Sequence, residues 1–351
     1  MPAVSPAVAA LFVFFTACVA PQPEVTQPQA PVAAPSTRIA FLHLGPPVEW
    51  QGKTDGLLGT TIRAATFVQA LALLEEDRPD IVVIDINCGG GSYYEAQRFA
   101  DLWKTKFKPK FRTVAWVRTA ACSATHAMWS LNEIYMRPDG YLGAATCAVG
   151  DMPIEARIDF DNRLSGDGNR DPKIMCAIDF CESLSCDVAP DGNVSWRQDV
   201  AGKLVVNPQN QCLGFTAQPA LQCRLASAVT ETRGELAASL CKGDFIIVGQ
   251  DAAKLIDRDM EECDRAAKRI AELDAQYTLA INTASKHSKP GQRNVRNVEL
   301  GVARASLRRL RPFRKDYTHI LDARARTDAW FQEQDRLLTK LAEPLPTAAP
   351  K

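Results

Sequence analysis

Hydrophobic positions divide the chain into three regimes. In the first, short apolar runs alternate with helix-spaced ones. Residues 38–46, RIAFLHLGP, predict a buried strand closed by Gly45-Pro46-Pro47. TIRAATFVQALALLEED follows, with Ala65, Val68, Leu71 and Leu74 at helical spacing. DIVVIDIN is a β-branched run of the kind buried on both faces, and it ends abruptly in CGGGS. A helix over YYEAQRFADLWKTKF is predicted next. Then come a strand RTVAWV, a helix SATHAMWSLN and a short strand EIYM that ends at Arg137-Pro138. Strands alternating with helices predict an α/β fold with largely parallel pairing.

The second regime, Gly150–Gln211, is looser. DFDNRLSGDGNRDP is polar and turn-rich, and GNVSWRQ and GKLVV have the pattern of short hairpin strands. Helical spacing returns in TAQPALQCRLASAV and RGELAASLC. The third regime, 249–345, is mostly helical. Ile256, Met260, Cys263, Ala267, Ile270, Tyr277 and Ile281 form an apolar seam broken by Asp274. That spacing predicts a helical appendage, a hairpin or a short coiled coil, with SKHSKPGQ as a loop. Its basic run RASLRRLRPFRK suits a solvated face or a surface for anionic lipid or a partner.

Composition narrows the function. The chain has 351 residues, 46% of them hydrophobic, which is enough for a full core. Lys+Arg and Asp+Glu are 41 each, so no global charge calls for a nucleic-acid partner. The first residues are a separate object. An apolar run from Ala7 to Val19 is short for a membrane span and suits a signal-peptide core. It contains FTAC, which resembles a bacterial lipobox with Cys18 as the lipidated residue. Phe15 stands where Leu is usual, and no Lys or Arg precedes the run. Cleavage after Ala20 is the rival, disfavoured by Pro21. Val19 after Cys18, where a retention signal would place Asp, favours the outer membrane. A Pro-rich tether follows. The predicted organisation is a signal or lipoprotein peptide at 1–18, a tether at 19–37, an α/β domain at 38–248, the appendage at 249–345 and a tail at 346–351.

Eleven cysteines suit an exported chain that pairs some of them. Cys176, Cys181 and Cys186 cluster closely enough to predict a disulfide there. Cys88, Cys122 and Cys147 have the pattern of small buried residues. With no C-x-x-C pair, no metal is expected, and no cofactor.

Chemistry concentrates at AACSATHAMWS, Ala120–Ser130. Ser123 there suits a helix N-cap or a nucleophile presented at a helix start. Three motifs in order bear on the choice: Asn87-Cys88-Gly89-Gly90-Gly91; Ala121-Cys122-Ser123-Ala124-Thr125 followed by Asn132-Glu133-Ile134; and Phe215-Thr216-Ala217-Gln218-Pro219-Ala220 through Leu225-Ala226-Ser227. Together they resemble the ClpP/crotonase superfamily over roughly residues 38–245. Within it they look most like the Clp-class membrane-associated serine proteases, of the NfeD-associated and signal-peptide-peptidase-A type. The resemblance implies a spiral of β-β-α units, with Ser123 as nucleophile. The oxyanion of a tetrahedral intermediate would meet the amide of Ala124 and that of Gly90 or Gly91. A ClpP-type histidine would fall near Ala145, where there is none. His126, three residues after Ser123, is expected to be a satisfied helix histidine rather than the base, and His43, His287 and His319 have no motif around them. The membrane proteases use a Ser–Lys dyad, and RDPKIMCAIDF matches the context of their lysine. Lys173 is therefore the expected base, with Lys203 a distant second, and the apolar flank of Ile174, Met175 and Ile178 would lower its pKa. Thr125 replaces the family's glycine, and Cys88-Gly89 replaces Ser-Pro.

The resulting expectation is a serine endopeptidase of the bacterial envelope. It would act on a peptide or protein, held to the membrane by an N-terminal lipid anchor or secreted, and assembled as a homo-oligomer. The alternative is a catalytically inactive scaffold of an envelope complex. A crotonase-like enzyme of acyl thioesters is disfavoured by export.

Overall fold

The computed structural model describes residues 36–47, 56–145, 153–208, 211–287 and 289–343; Cys18, residues 19–35 of the tether and Cys147 lie outside them, and the tether's last residue, Thr37, begins the first strand. The strands are β1 (Thr37–Leu44), β2 (Ile81–Cys88), β3 (Arg112–Ala121), β4 (Glu133–Gly143), β5 (Leu184–Val188), β6 (Val194–Arg197), β7 (Leu204–Asn207), β8 (Gly214–Thr216), β9 (Ala228–Val229) and β10 (Phe245–Val248). The helices of the first part are α1 (Ala64–Asp77), α2 (Tyr93–Leu102), α3 (Ser123–Trp129), α4 (Ile154–Asp167), α5 (Pro172–Phe180), α6 (Ala217–Gln222) and α7 (Arg233–Leu240). Those of the last part are α8 (Gln250–Lys286), α9 (Arg293–Leu310), α10 (Phe313–Asp316), α11 (Thr318–Ala323) and α12 (Asp328–Ala342).

The α/β class and the parallel sheet are as expected. The main sheet runs β10-β1-β2-β3-β4-β8, with β9 also on β4; every pair is parallel except β4 with β8. Parallel neighbours need crossovers, and α1, α2 and α3 supply them. Alternation along the strands builds two cores. Ala40, Leu42, Val82 and Ile84 face α1, α2 and α3, while Ile39, Phe41, Val83 and Trp116 face Leu236, Ala237 and Leu240 of α7.

Four details differ from the sequence reading. On α1 the buried face is Phe67, Ala70, Leu71 and Leu74, whereas Ala65 and Val68 face solvent. Phe67 decides the rotation: its ring sits edge-on to Phe99 and Trp103 at 5.1 and 5.6 Å. Second, β4 does not stop at Arg137-Pro138. The ladder breaks after Met136 and resumes at Tyr141, so the proline lies in an irregularity where no ladder N–H is needed. Third, the polar stretch after Asp159 is helical. In α4 the residues Phe160, Asp161, Leu164 and Ser165 form one buried face, half of it polar, which hid the period. Fourth, β6 and β7 flank β5 rather than each other.

The cysteines also differ. Cys176, Cys181 and Cys186 are free thiols, and it is Cys181 that approaches exposed Cys212, with 3.1 Å between sulfurs. Cys122 is not a free buried thiol but half of a disulfide, whose partner lies outside the described residues.

Residues from Ser36 onward form one compact unit. The first turns of α8 put Ala252, Ile256 and Met260 into the sheet core. Beyond them Cys263, Ile270, Tyr277 and Ile281 join Leu300, Leu307 and Leu338 in a helical core. Asp274, the break in the seam, is buried and accepts two bonds from Arg326 at 2.7 and 3.1 Å. Asp259 on α8 accepts 2.6 Å from Thr66 and pairs with Arg63, which pins α8 to the start of α1. Among the described residues, no helix is long and apolar enough to cross a membrane.

Candidate active site

The site lies where β2 and β3 end side by side. At the end of β3 the chain turns sharply into α3 through Cys122, at φ 54° and ψ −132°. A non-glycine residue there carries strain of order 1–3 kcal/mol. The surroundings impose it: Cys122 N–H donates to Gly143 O at 3.1 Å, and Thr125 N–H donates to Cys122 O at 3.0 Å. Ser123 is the first residue of α3.

Thr125 has a clear structural role. Its hydroxyl donates to Ala120 O at 2.7 Å and accepts from Gly143 N–H at 3.2 Å. It fastens the turn to both β3 and β4. The other end of α3 is held as firmly. Half-buried Arg170 donates to Trp129 O and Leu131 O at 2.5 and 2.6 Å, and Lys108 donates to Ser130 O at 3.1 Å. These cations meet carbonyls that a helix end leaves unpaired. Burial pushes the Arg170 guanidinium down to about 9.

The glycine segment faces this turn. Gly90 and Gly91 adopt φ of +119° and +127°, a region L-residues rarely occupy. A Cβ on Gly90 would stand 2.8 Å from Cys122 Cβ and 3.3 Å from Ala121 O, so the loop lies directly on the turn before Ser123. A Cβ on Gly91 would overlap the Leu58 backbone. Leu58 N–H donates to Gly90 O, and Ser92 N–H donates to Leu58 O, both at 2.8 Å. One edge of the loop is thus paired within the chain. Among the described residues, the amides of Gly90, Gly91 and Ala124 have no hydrogen-bond partner. Cys88 beneath them is fully buried, and burial pushes its thiol up to about 11.

Ser123 is 2% exposed, and its Oγ has no hydrogen-bond partner among the described residues. Neither lysine named from the sequence meets it there. Lys173 is the second residue of α5, and its ammonium pairs with Asp171 at 3.2 Å with 43% of the side chain exposed. The expected apolar flank is present, since Ile174, Met175 and Ile178 are buried, but the ammonium is not among them. The Lys203 N–H donates to Asp187 at 3.1 Å, in the small sheet of β5, β6 and β7.

His126 corrects the expectation of a satisfied helix histidine. It is 1% exposed, and among the described residues neither ring nitrogen has a hydrogen-bond partner. Its Nε2 lies 3.4 Å from Asp161 Oδ1 on α4 and 3.9 Å from Asp179 Oδ1 on α5. The Tyr93 ring sits edge-on at 5.0 Å, and the Phe160 ring stacks on it at 6.0 Å. Burial raises the Asp161 carboxyl, and His126 opposes that shift. Burial raises the Tyr93 phenol too, helped by Asp161 and Asp179. The sequence carried one signal of this group: Asp179 inside the apolar face of Ile174, Met175 and Ile178.

No family model and no curated protein matches this chain. Solved structures do match. A membrane-bound stomatin-specific protease, 1510-N, is 14% identical, with 58% of this chain and 84% of that one covered and a TM-score of 0.39. A variant of it in complex with a substrate peptide matches at 14% identity over 58% and 80% of the two chains, TM-score 0.40. ClpP1 from Listeria monocytogenes matches at 15% identity over 57% and 94%, TM-score 0.33.

Proposed function

We propose that the protein is a serine endopeptidase of the bacterial envelope. The observation that carries the reading is the strained Cys122 turn. It presents Ser123 at the start of α3, next to the turn on which Gly90 lies, and among the described residues the amides of Gly90, Gly91 and Ala124 are unpaired. Ser123 Oγ attacks a peptide carbonyl, and the developing oxyanion accepts from Ala124 N–H and from Gly90 or Gly91 N–H. Cys122 is disulfide-bonded and so does not compete as a nucleophile. Lys173 takes the serine proton. To do so it must leave Asp171 and enter the apolar flank of Ile174, Met175 and Ile178. Substrate adds as a strand along the edge of the glycine loop that Leu58 leaves open. Cys18 anchors the chain to lipid, and the protein works as a homo-oligomer.

A second reading is favoured by a specific observation. Ser123 is buried and Lys173 is held by Asp171. In that reading the fold is a non-catalytic scaffold of an envelope complex. A fluorophosphonate probe decides between them. The peptidase labels, Ser123→Ala abolishes labelling, and Lys173→Ala slows it. A folded wild-type protein that does not label is the scaffold.

A further inference from the structure

On the helix that begins at Ser123 and the two packed against it, five polar atoms have no hydrogen-bond partner among the described residues: His126 Nδ1 and Nε2, Asp161 Oδ1 and Oδ2, and Asp179 Oδ1. The three residues are 1%, 3% and 2% exposed. Buried polar atoms are nearly always paired, and unpaired carboxylates are the costliest case. The three side chains come from three helices and offer one imidazole nitrogen and two carboxylate oxygens within 4.8 Å of one another.

We infer that His126, Asp161 and Asp179 bind one divalent transition-metal ion of the zinc class. Zinc bonds of about 2.0–2.2 Å place two tetrahedral ligands about 3.4 Å apart. His126 Nε2 and Asp161 Oδ1 are 3.4 Å apart, and Asp179 Oδ1 is 3.9 Å from the same nitrogen. A charge-assisted hydrogen bond would be shorter, about 2.7–2.9 Å. Asp179 is already oriented for the task. Its Oδ2 accepts from Arg157 Nε and Nη2 at 3.1 and 2.6 Å, which turns Oδ1 toward His126. Such outer partners fix the direction of metal-binding carboxylates. Two carboxylates, one neutral imidazole and a nearby guanidinium balance a divalent charge to within one unit. The ion ties α4 and α5 to the helix that begins at Ser123. Beside it, Trp129 Nε1 donates to Ser165 Oγ at 3.1 Å, a second link between α3 and α4. This inference stands whether or not Ser123 is a nucleophile.

The test uses the full chain, stripped with chelator and titrated with Co²⁺. The expected result is one ion per chain, with the visible absorption of tetrahedral cobalt, no thiolate charge-transfer band, and displacement by Zn²⁺. Asp161→Asn is expected to weaken binding at least about tenfold, since even outer-shell changes cost 10–100-fold. A thiolate band would place the ion at Cys181 and Cys212 and overturn the inference. So would the absence of binding. Both outcomes are read on the wild type, so they stand even where the variant does not fold.

Discussion

Replacing Gly90 by alanine separates a working oxyanion loop from a mere turn. At φ +119° a side chain carries strain of order 1–3 kcal/mol. The new methyl would also stand 2.8 Å from Cys122 Cβ, closer than real Cβ contacts come. Cys122 cannot give way, because its N–H is bonded to Gly143 and its sulfur is in a disulfide. The loop must therefore move. An oxyanion donor works only within about 2.7–3.1 Å of the oxygen, and losing one costs ~10²–10³ in rate. The assay is the second-order rate of fluorophosphonate labelling, with folding checked by circular dichroism. Gly89→Ala is the control, since a methyl there meets no atom within 4 Å. Gly90→Ala is expected to label ~10²–10³-fold more slowly, and Gly89→Ala at the wild-type rate. A folded Gly90→Ala protein that labels as fast as Gly89→Ala would refute the assignment.

Other expectations follow from single contacts. Thr125→Val keeps the shape but leaves Ala120 O and Gly143 N–H without their partner, a loss of about 2–4 kcal/mol readable as a lower denaturation midpoint. Arg326→Met strands Asp274 in the helical seam and should cost about 3 kcal/mol, whereas Asp274→Leu with Arg326→Met should recover most of it in the same denaturation assay. Arg112 holds the Glu133 carboxyl below its ordinary value of 4.5, so this pair adds stability above that pH and loses it as pH falls through the depressed value. Both groups are partly exposed, so the effect is under about 1 kcal/mol, and Glu133→Gln should flatten the acid limb of the stability curve. Burial holds Cys88 and Cys223 near 11 and 12, so iodoacetamide at neutral pH should spare both in the folded protein and modify exposed Cys212. Mild oxidation should link Cys212 to Cys181, which peptide mapping would detect.

What the sequence made legible was local. The β-branched run of β2, the glycines after it and the small residues around Ser123 announce themselves because each needs its residue type where it stands. Phe67 could not be ranked above Val68 without the rings of Phe99 and Trp103, which come from another helix. The helix α4 was hidden because Asp161 and Ser165 point inward, and polar residues inside erase the apolar period. The same two facts concealed the His126 group. Asp161 lies 35 positions after His126 and Asp179 another 18, so only the packing of α3, α4 and α5 brings them together. Motif context points to Lys173 but carries no sign that its ammonium pairs with the Asp171 carboxylate.

The long helix α8 has a mechanical consequence. Its 37 residues span roughly 55 Å at 1.5 Å per residue. One end is embedded under the sheet through Ile256 and Met260, and the other is the spine of the C-terminal helices. It is a lever with its fulcrum at Asp259, clasped by Arg63 and Thr66. A load on the far helices is therefore delivered to the start of α1, which in turn is tethered by the Ala64 amide to Glu95 on the helix after the glycine loop. Trimming the chain at Val248 would remove more than an appendage: it would pull Ala252, Ile256 and Met260 out of the sheet's own packing.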